Sequence, residues 1–125
     1  MACKDGRLQA AFASHFWPGG AITTIRRPKP NDTLQVTVIP VPDFVAQSSE
    51  GACSQPIFEE RITAAETKVH NGLAQVWAHN AARFGRAPRV QEWTGIDAFT
   101  LLKHENRWRI VSLVFAPGSS GPSND

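Results

Sequence analysis

Four long stretches of β-forming sequence, joined by tight turns, constrain this chain more than any other feature. "FEERITAAETKVH" and "LAQVWAHNAARF" flank Asn71-Gly72, a dipeptide that reverses antiparallel strands readily because both residues accept positive φ. "GRAPR" makes the next turn, and "VQEWTGIDAFTLLK" and "RWRIVSLVF" then flank "HEN" as a second long hairpin. An antiparallel sheet wetted on one side has strands that alternate apolar with polar. These do not: Ile96, Ala98 and Leu102 oppose Phe99 and Leu101, and Ile110 and Val114 oppose Val111, Leu113 and Phe115. Both faces therefore need cover, helices on one and a second subunit on the other.

The front of the chain supplies the helices. Leu8, Ala11, Phe12, His15 and Phe16 recur at helical spacing and stop at Trp17-Pro18-Gly19-Gly20, a helix-ending run. "AITTI" and "TLQVTVI" form a hairpin across the polar turn "RRPKPND", with Leu34, Val36 and Val38 on one face and Gln35, Thr37 and Ile39 on the other. "PVPDFVAQSSE" restarts as a helix with Pro42 in its first turn, where a missing N–H costs nothing. Helix, two short strands, helix and four long strands make an α+β fold with a mostly antiparallel sheet curled around short helices. The 125 residues suit one domain over positions 1–116. The Pro/Gly/Ser-rich stretch 117–125 is expected to be a flexible tail.

Charge and composition exclude several classes. The net charge is +2, and the arginines are scattered as Arg26–Arg27, Arg83 and Arg86, Arg107 and Arg109, without the aromatic interleaving of a nucleic-acid surface. No apolar run is long enough to span a membrane. "MACKDGRLQA" lacks the apolar centre of a signal peptide. Cys3 and Cys53 have no partner at metal-ligand spacing, which points to reduced thiols in the cytoplasm. Neither a nucleophile elbow nor a glycine-rich phosphate loop is present, and metal ligation has no support from spacing; no metal and no cofactor are expected.

The residue that asks for an explanation is Asp97, in "TGIDAF". Burying an unpaired carboxylate costs several kcal/mol, roughly, so the group is paired, protonated or useful. Phe99 and Leu101 share its strand face; pairing with Arg83 or with backbone amides is the structural alternative. His79 shares a face with Leu73, Gln75, Trp77 and Ala81, and would serve as a general base if that face looks inward. Trp17 and Trp77 are candidates for stacking a planar ligand, and Trp108 is expected in the core. Ala74, Ala78 and Ala82, four apart on one strand face, leave room for close packing or for a ligand.

From about Arg7 to Ala116 the ordered set "VIPVPDFVA", "VHNGLAQVWA", "GIDAF" and "RWRIVS" resembles the nuclear transport factor 2-like superfamily. The likeness is to its small bacterial members described as lumazine-binding or of unknown function. That resemblance implies a cystatin-like, cone-shaped α+β fold, with the first family helix missing or reduced to "MACKD". It leaves the reaction open, because the superfamily hosts isomerases, dehydratases, cyclases and bare dimerisation modules. "IDAF" is distantly similar to the ketosteroid isomerase segment whose protonated aspartic acid donates to an oxyanion, a role that would fall to Asp97. The rest of that machinery is absent: Thr24 or Ile25 stands where the base would be, and the chain has no tyrosine. The resulting expectation is a protein that binds a small, partly apolar or planar organic molecule between helix and sheet. Trp17, Trp77 and Phe99 would line the pocket, and Asp97 with His79 would be its acid and base. A non-catalytic dimerisation or adaptor module with a filled core is the alternative. In either case a homodimer through the outer sheet face is expected.

Overall fold

A computed structural model describes residues 11–50 and 56–118. Residues 11–14 are helical. They are followed by β1 (Phe16–Arg26), β2 (Gln35–Pro40), α1 (Val41–Glu50), β3 (Ile57–His70), β4 (Leu73–Arg86), β5 (Arg89–His104) and β6 (Arg107–Pro117). The six strands form one sheet in the order β2-β1-β6-β5-β4-β3, antiparallel throughout except where β1 runs parallel to β6. Both long hairpins turn on left-handed residues: Asn71 (φ 45°) with Gly72 (φ 81°), and Glu105 (φ 50°) with Asn106 (φ 60°). This is the mirror-image turn that matches the twist of the flanking strands.

Two expectations need correction. Trp17-Pro18-Gly19-Gly20 does not merely end a helix; it lies inside β1, whose pairing with β6 is irregular between Phe16 and Ala21. A side chain at Gly20 would meet the Trp17 carbonyl oxygen at 2.9 Å, so the glycine lets the chain fold back on itself there. Trp108 is not core; it lies at the end of the β5–β6 hairpin and is 36% exposed. The need for cover on both faces is met only on one side by the described residues. The reduced first helix and the cysteines lie outside them.

Register defines the two faces. Ile39, Ile22, Leu113, Phe99, Val76 and Thr67 lie in one row across all six strands. This is the inner face, because Phe16, Ile22, Val41 and Leu113 form the buried core and Phe12, Phe44, Val45, Phe99 and Ile110 pack against it. Phe12 meets Phe16 edge-on at 5.2 Å and Phe44 at 5.8 Å, so the helical segments bring their aromatics together over the β1 end of the sheet. One residue along each strand, the row Val38, Thr23, Val114, Ala98, Trp77 and Glu66 lies on the outer face. There Val38 is 63% and Trp77 51% exposed.

Candidate functional site

On the inner face, β4 presents Ala74, Ala78 and Ala82, all buried, with Asn80 between the last two. Ala78 faces Asp97 across the ladder, and Asn80 faces Gly95 on β5 and Ile62 on β3. Both neighbours of Asn80 mark irregularities. The β3 register shifts between Ile62 and Ala64. At Gly95 a side chain would meet the Ala116 carbonyl oxygen at 2.9 Å and the Phe115 ring at 3.1 Å. Bulges and strand glycines are where sheets bend, so Asn80 sits in a crease of the sheet with Asp97 diagonal to it, within side-chain reach.

Asn80 is 1% exposed and Asp97 6%. Burial pushes the Asp97 carboxyl above its ordinary range, and the neighbouring Asn80 amide offsets part of this. That contact is polar attraction without good hydrogen-bond geometry, for both Asn80 Nδ2 and Oδ1 are buried and lack a partner. Glu60, facing Ala82, completes the group. Its carboxyl is raised by burial first and by the charge of Asp97 second, against a smaller lowering by the positive charge of the N-terminus. Two carboxyls in one field resist joint ionisation and take up a proton or a cation more readily than either alone. Towards the tip of the β4–β5 hairpin the same face continues into Phe84 and Trp93, whose rings lie 4.2 Å apart.

The sequence-derived site residues divide among three places. Asp97 and Phe99 are on the inner face, Phe99 packed against the core. His79 and Trp77 are on the outer face, in register with Ile96 and Ala98. The condition for His79 to serve as base to Asp97 therefore fails: the sheet lies between them. Trp77 for the same reason faces away from the inner concavity. Trp17 sits at the far end of the sheet, edge-on to His104 at 5.2 Å and 5.9 Å from the Arg109 guanidinium. Arg83, the alternative partner for Asp97, also points outward and reaches Glu59 at 3.5 Å and Glu92 at 3.1 Å. Beside this clamp opens a cavity of about 570 Å³ lined from both registers, by Arg61, Ala81, Arg83 and Thr94 of the outer and by Glu60, Ala82 and Trp93 of the inner.

Glu60 and Asn80 were not singled out from sequence. The signal for Asn80 was available, since it falls on the same strand face as the three alanines. Glu60 gave none, because neighbouring carboxylates in "FEERIT" are ordinary for an exposed strand. Among the described residues no cluster of three metal-ligating side chains occurs, and no helix is long and apolar enough to cross a membrane.

No protein-family model matches the sequence, and no curated protein matches it. Solved structures do match the fold. A nuclear transport factor 2-like protein with a cystatin-like fold from Novosphingobium aromaticivorans superposes with a TM-score of 0.70 at 10% identity, over 95% of this chain and 74% of that one. A candidate dehydratase of the same fold family from Streptomyces avermitilis gives 0.66 at 12%, over 95% and 87%. A candidate calcium/calmodulin-dependent protein kinase II association domain from Xanthomonas campestris gives 0.65 at 11%, over 96% and 80%. The chain thus has the nuclear transport factor 2-like, cystatin-like α+β fold.

Proposed function

We propose that this protein binds a small organic molecule on the inner face of its curled sheet, with Asp97, Asn80 and Glu60 as the polar contacts. The observation that carries this reading is Asn80: a primary amide 1% exposed, with neither polar atom partnered. Leaving such a group unmade costs about 1–3 kcal/mol, and a ligand is one group that would satisfy it. The alanines at 74, 78 and 82 keep that face shallow, and the Phe84–Trp93 pair supplies aromatic surface for an apolar or planar body. If the protein is an enzyme, cofactor-free acid/base chemistry fits: Asp97 is held towards its neutral, donating form, and the Glu60 carboxyl takes the place of the His79 imidazole as its partner. A fragment screen by NMR on the labelled full chain, repeated with Asp97→Asn, tests this. Hits should shift the Asn80 side-chain amide and weaken in the variant. Hits that move only outer-face residues would refute it.

A second reading concerns the outer face and is compatible with the first. Leu73, Trp77 and Leu102 are exposed there, and Val36 and Val38 extend the patch across β2. Large exposed apolar patches mark interaction sites, and we assign this one to a second copy of the chain, forming a homodimer. Similarity in fold to an association domain supports that assignment. A monomer by light scattering at micromolar concentration would overturn it. The placement in the cytoplasm rests on sequence composition alone.

A further inference from the structure

We infer that the free edge of β3 pairs with β3 of a second copy, antiparallel and about a two-fold axis between Thr63 and Ala64, joining the two sheets into one. The contact is separate from the outer-face homodimer and does not rest on the ligand-binding function. β3 (Ile57–His70) is the last strand of the sheet. β4 pairs along one side of it, and among the described residues no strand pairs along the other. A long bare edge presents a row of unused N–H and C=O groups to any strand that matches it. Charges and bulges usually guard such an edge; here both are arranged to fit a copy of the same strand.

The bulge limits the register. Glu59 and Arg61 lie before it on the outer face, opposite Arg83 and Ala81; Glu66 and Lys68 lie after it on the same face, opposite Trp77 and Gln75. The shift between Ile62 and Ala64 thus changes the outer positions from odd to even. Residues directly opposite in an antiparallel pair share a face, so an odd residue before the bulge must meet an even one after it. A regular strand turned about its own two-fold axis would pair odd with odd; a bulge at the axis removes that conflict. With the axis between Thr63 and Ala64, Arg61 meets the partner's Glu66 and Glu59 meets the partner's Lys68, and symmetry repeats both pairs. A slip of two residues, the smallest that keeps the faces matched, sets Glu59 against Glu66 in one direction and Arg61 against Lys68 in the other. Like charges directly opposite destabilise a sheet, so charge selects one register. Arg61, Glu66 and Lys68 are exposed and take part in no ion pair among the described residues. On the inner face Ile62, 53% exposed, gains apolar cover from the partner's Ala65. The two-fold axis keeps outer face beside outer face, so the apolar patch around Trp77 continues across both copies.

Sedimentation equilibrium of the full-length chain carrying Trp77→Glu isolates the edge from the outer face. Exposed cross-strand pairs are individually weak, so a monomer–dimer equilibrium should appear between micromolar and millimolar concentration. Arg61→Glu and Glu66→Arg, each added alone, set like charges opposite one another at two symmetric places and should weaken association by about tenfold or more. The two together exchange the charges and should restore it to within about threefold of the background, as coupled neighbours do. Both positions are exposed, and circular dichroism verifies that each variant is folded. A Trp77→Glu chain that stays monomeric up to millimolar concentration would show that the edge does not pair. Association that ignores the single reversals would place the contact on another surface. Failure of the double variant to recover would show that Arg61 and Glu66 do not meet. Any of these results overturns the assignment. None of them touches the outer-face homodimer, which is read from the wild type at micromolar concentration.

Discussion

Replacing Asn80 by leucine should make the protein more stable and stop it binding. Asn and Leu branch alike, so the substitution exchanges a buried amide for methyl groups without opening a cavity, although the bulkier methyl groups offset part of the gain by tighter packing. In the folded chain both amide atoms are buried and unpartnered, whereas in the unfolded chain water satisfies them. Removing that imbalance is worth about 1–3 kcal/mol. For a domain of this length the melting temperature moves by about 4 °C per kcal/mol, which predicts a rise of about 4–12 °C. Asp97 works against the gain, because the amide favours its ionised form. The rise should therefore be larger near pH 5, as the carboxyl approaches neutrality, than near pH 8. Thermal and urea melts of the ligand-free protein followed by circular dichroism at both pH values give the result. A loss of about 1 kcal/mol or more near pH 5 would show that the amide is well bonded in the folded state. The argument for a ligand there would then collapse.

The remaining expectations concern the acid pair, the crease and the outer face. Burial raises Asp97 in the folded state, so its neutral form is favoured on folding; stability is fully present below the unfolded value of about 3.9 and declines as pH rises through the raised folded value. Asp97→Asn should flatten that decline in urea melts, and parallel pH profiles for variant and wild type would contradict it. Gly95→Ala puts a methyl group 2.9 Å from the Ala116 carbonyl oxygen, and should cost about 1–3 kcal/mol by overpacking while shifting the Asn80 amide resonance. An unchanged resonance would mean that the crease does not position Asn80. Trp77→Glu should leave the stability of the dissociated chain within about 0.5 kcal/mol and turn dimer to monomer in light scattering. A persistent dimer would place the interface elsewhere.

How much of this was legible in the sequence depends on what sets each feature. Local turn chemistry set the hairpins, and Asn71-Gly72 and "HEN" turn where their residues accept positive φ. Alternation set which residues share a face, and it correctly grouped Asp97 with Phe99, and His79 with Trp77. It carries no information on which group faces in. That depends on the helices, whose aromatics pack over Ile22 and Leu113 through contacts distant in sequence. Asn80 and Glu60 fell outside the reading for a related reason: polar side chains on strands are ordinary until burial is known. Only the three-dimensional register shows that one amide lies 1% exposed in a crease between two carboxyls.

The orientation of β4 has its own physical reason, and it runs against side-chain hydrophobicity. Leu73 and Trp77 face out while Ala74, Ala78, Asn80 and Ala82 face in, although burying the first pair would remove more apolar area from water. A one-residue slip of β4 would accomplish that exchange. Curvature opposes it. On the concave side of a bent sheet the side chains converge, so small residues fit there; on the convex side they diverge, and bulky ones are accommodated. The bulge after Ile62 and the glycine at position 95 bend the sheet beside Asn80, and the Asn71-Gly72 turn holds the register. The alanine face is therefore the concave one by volume, and the same choice leaves an amide and two carboxyls inside with large apolar groups outside. A monomer without ligand carries both costs at once. A second copy over Trp77 and a ligand beside Asn80 would relieve them separately, so dimerisation and ligand binding should be separable by mutation: Trp77→Glu should abolish the first and spare the second.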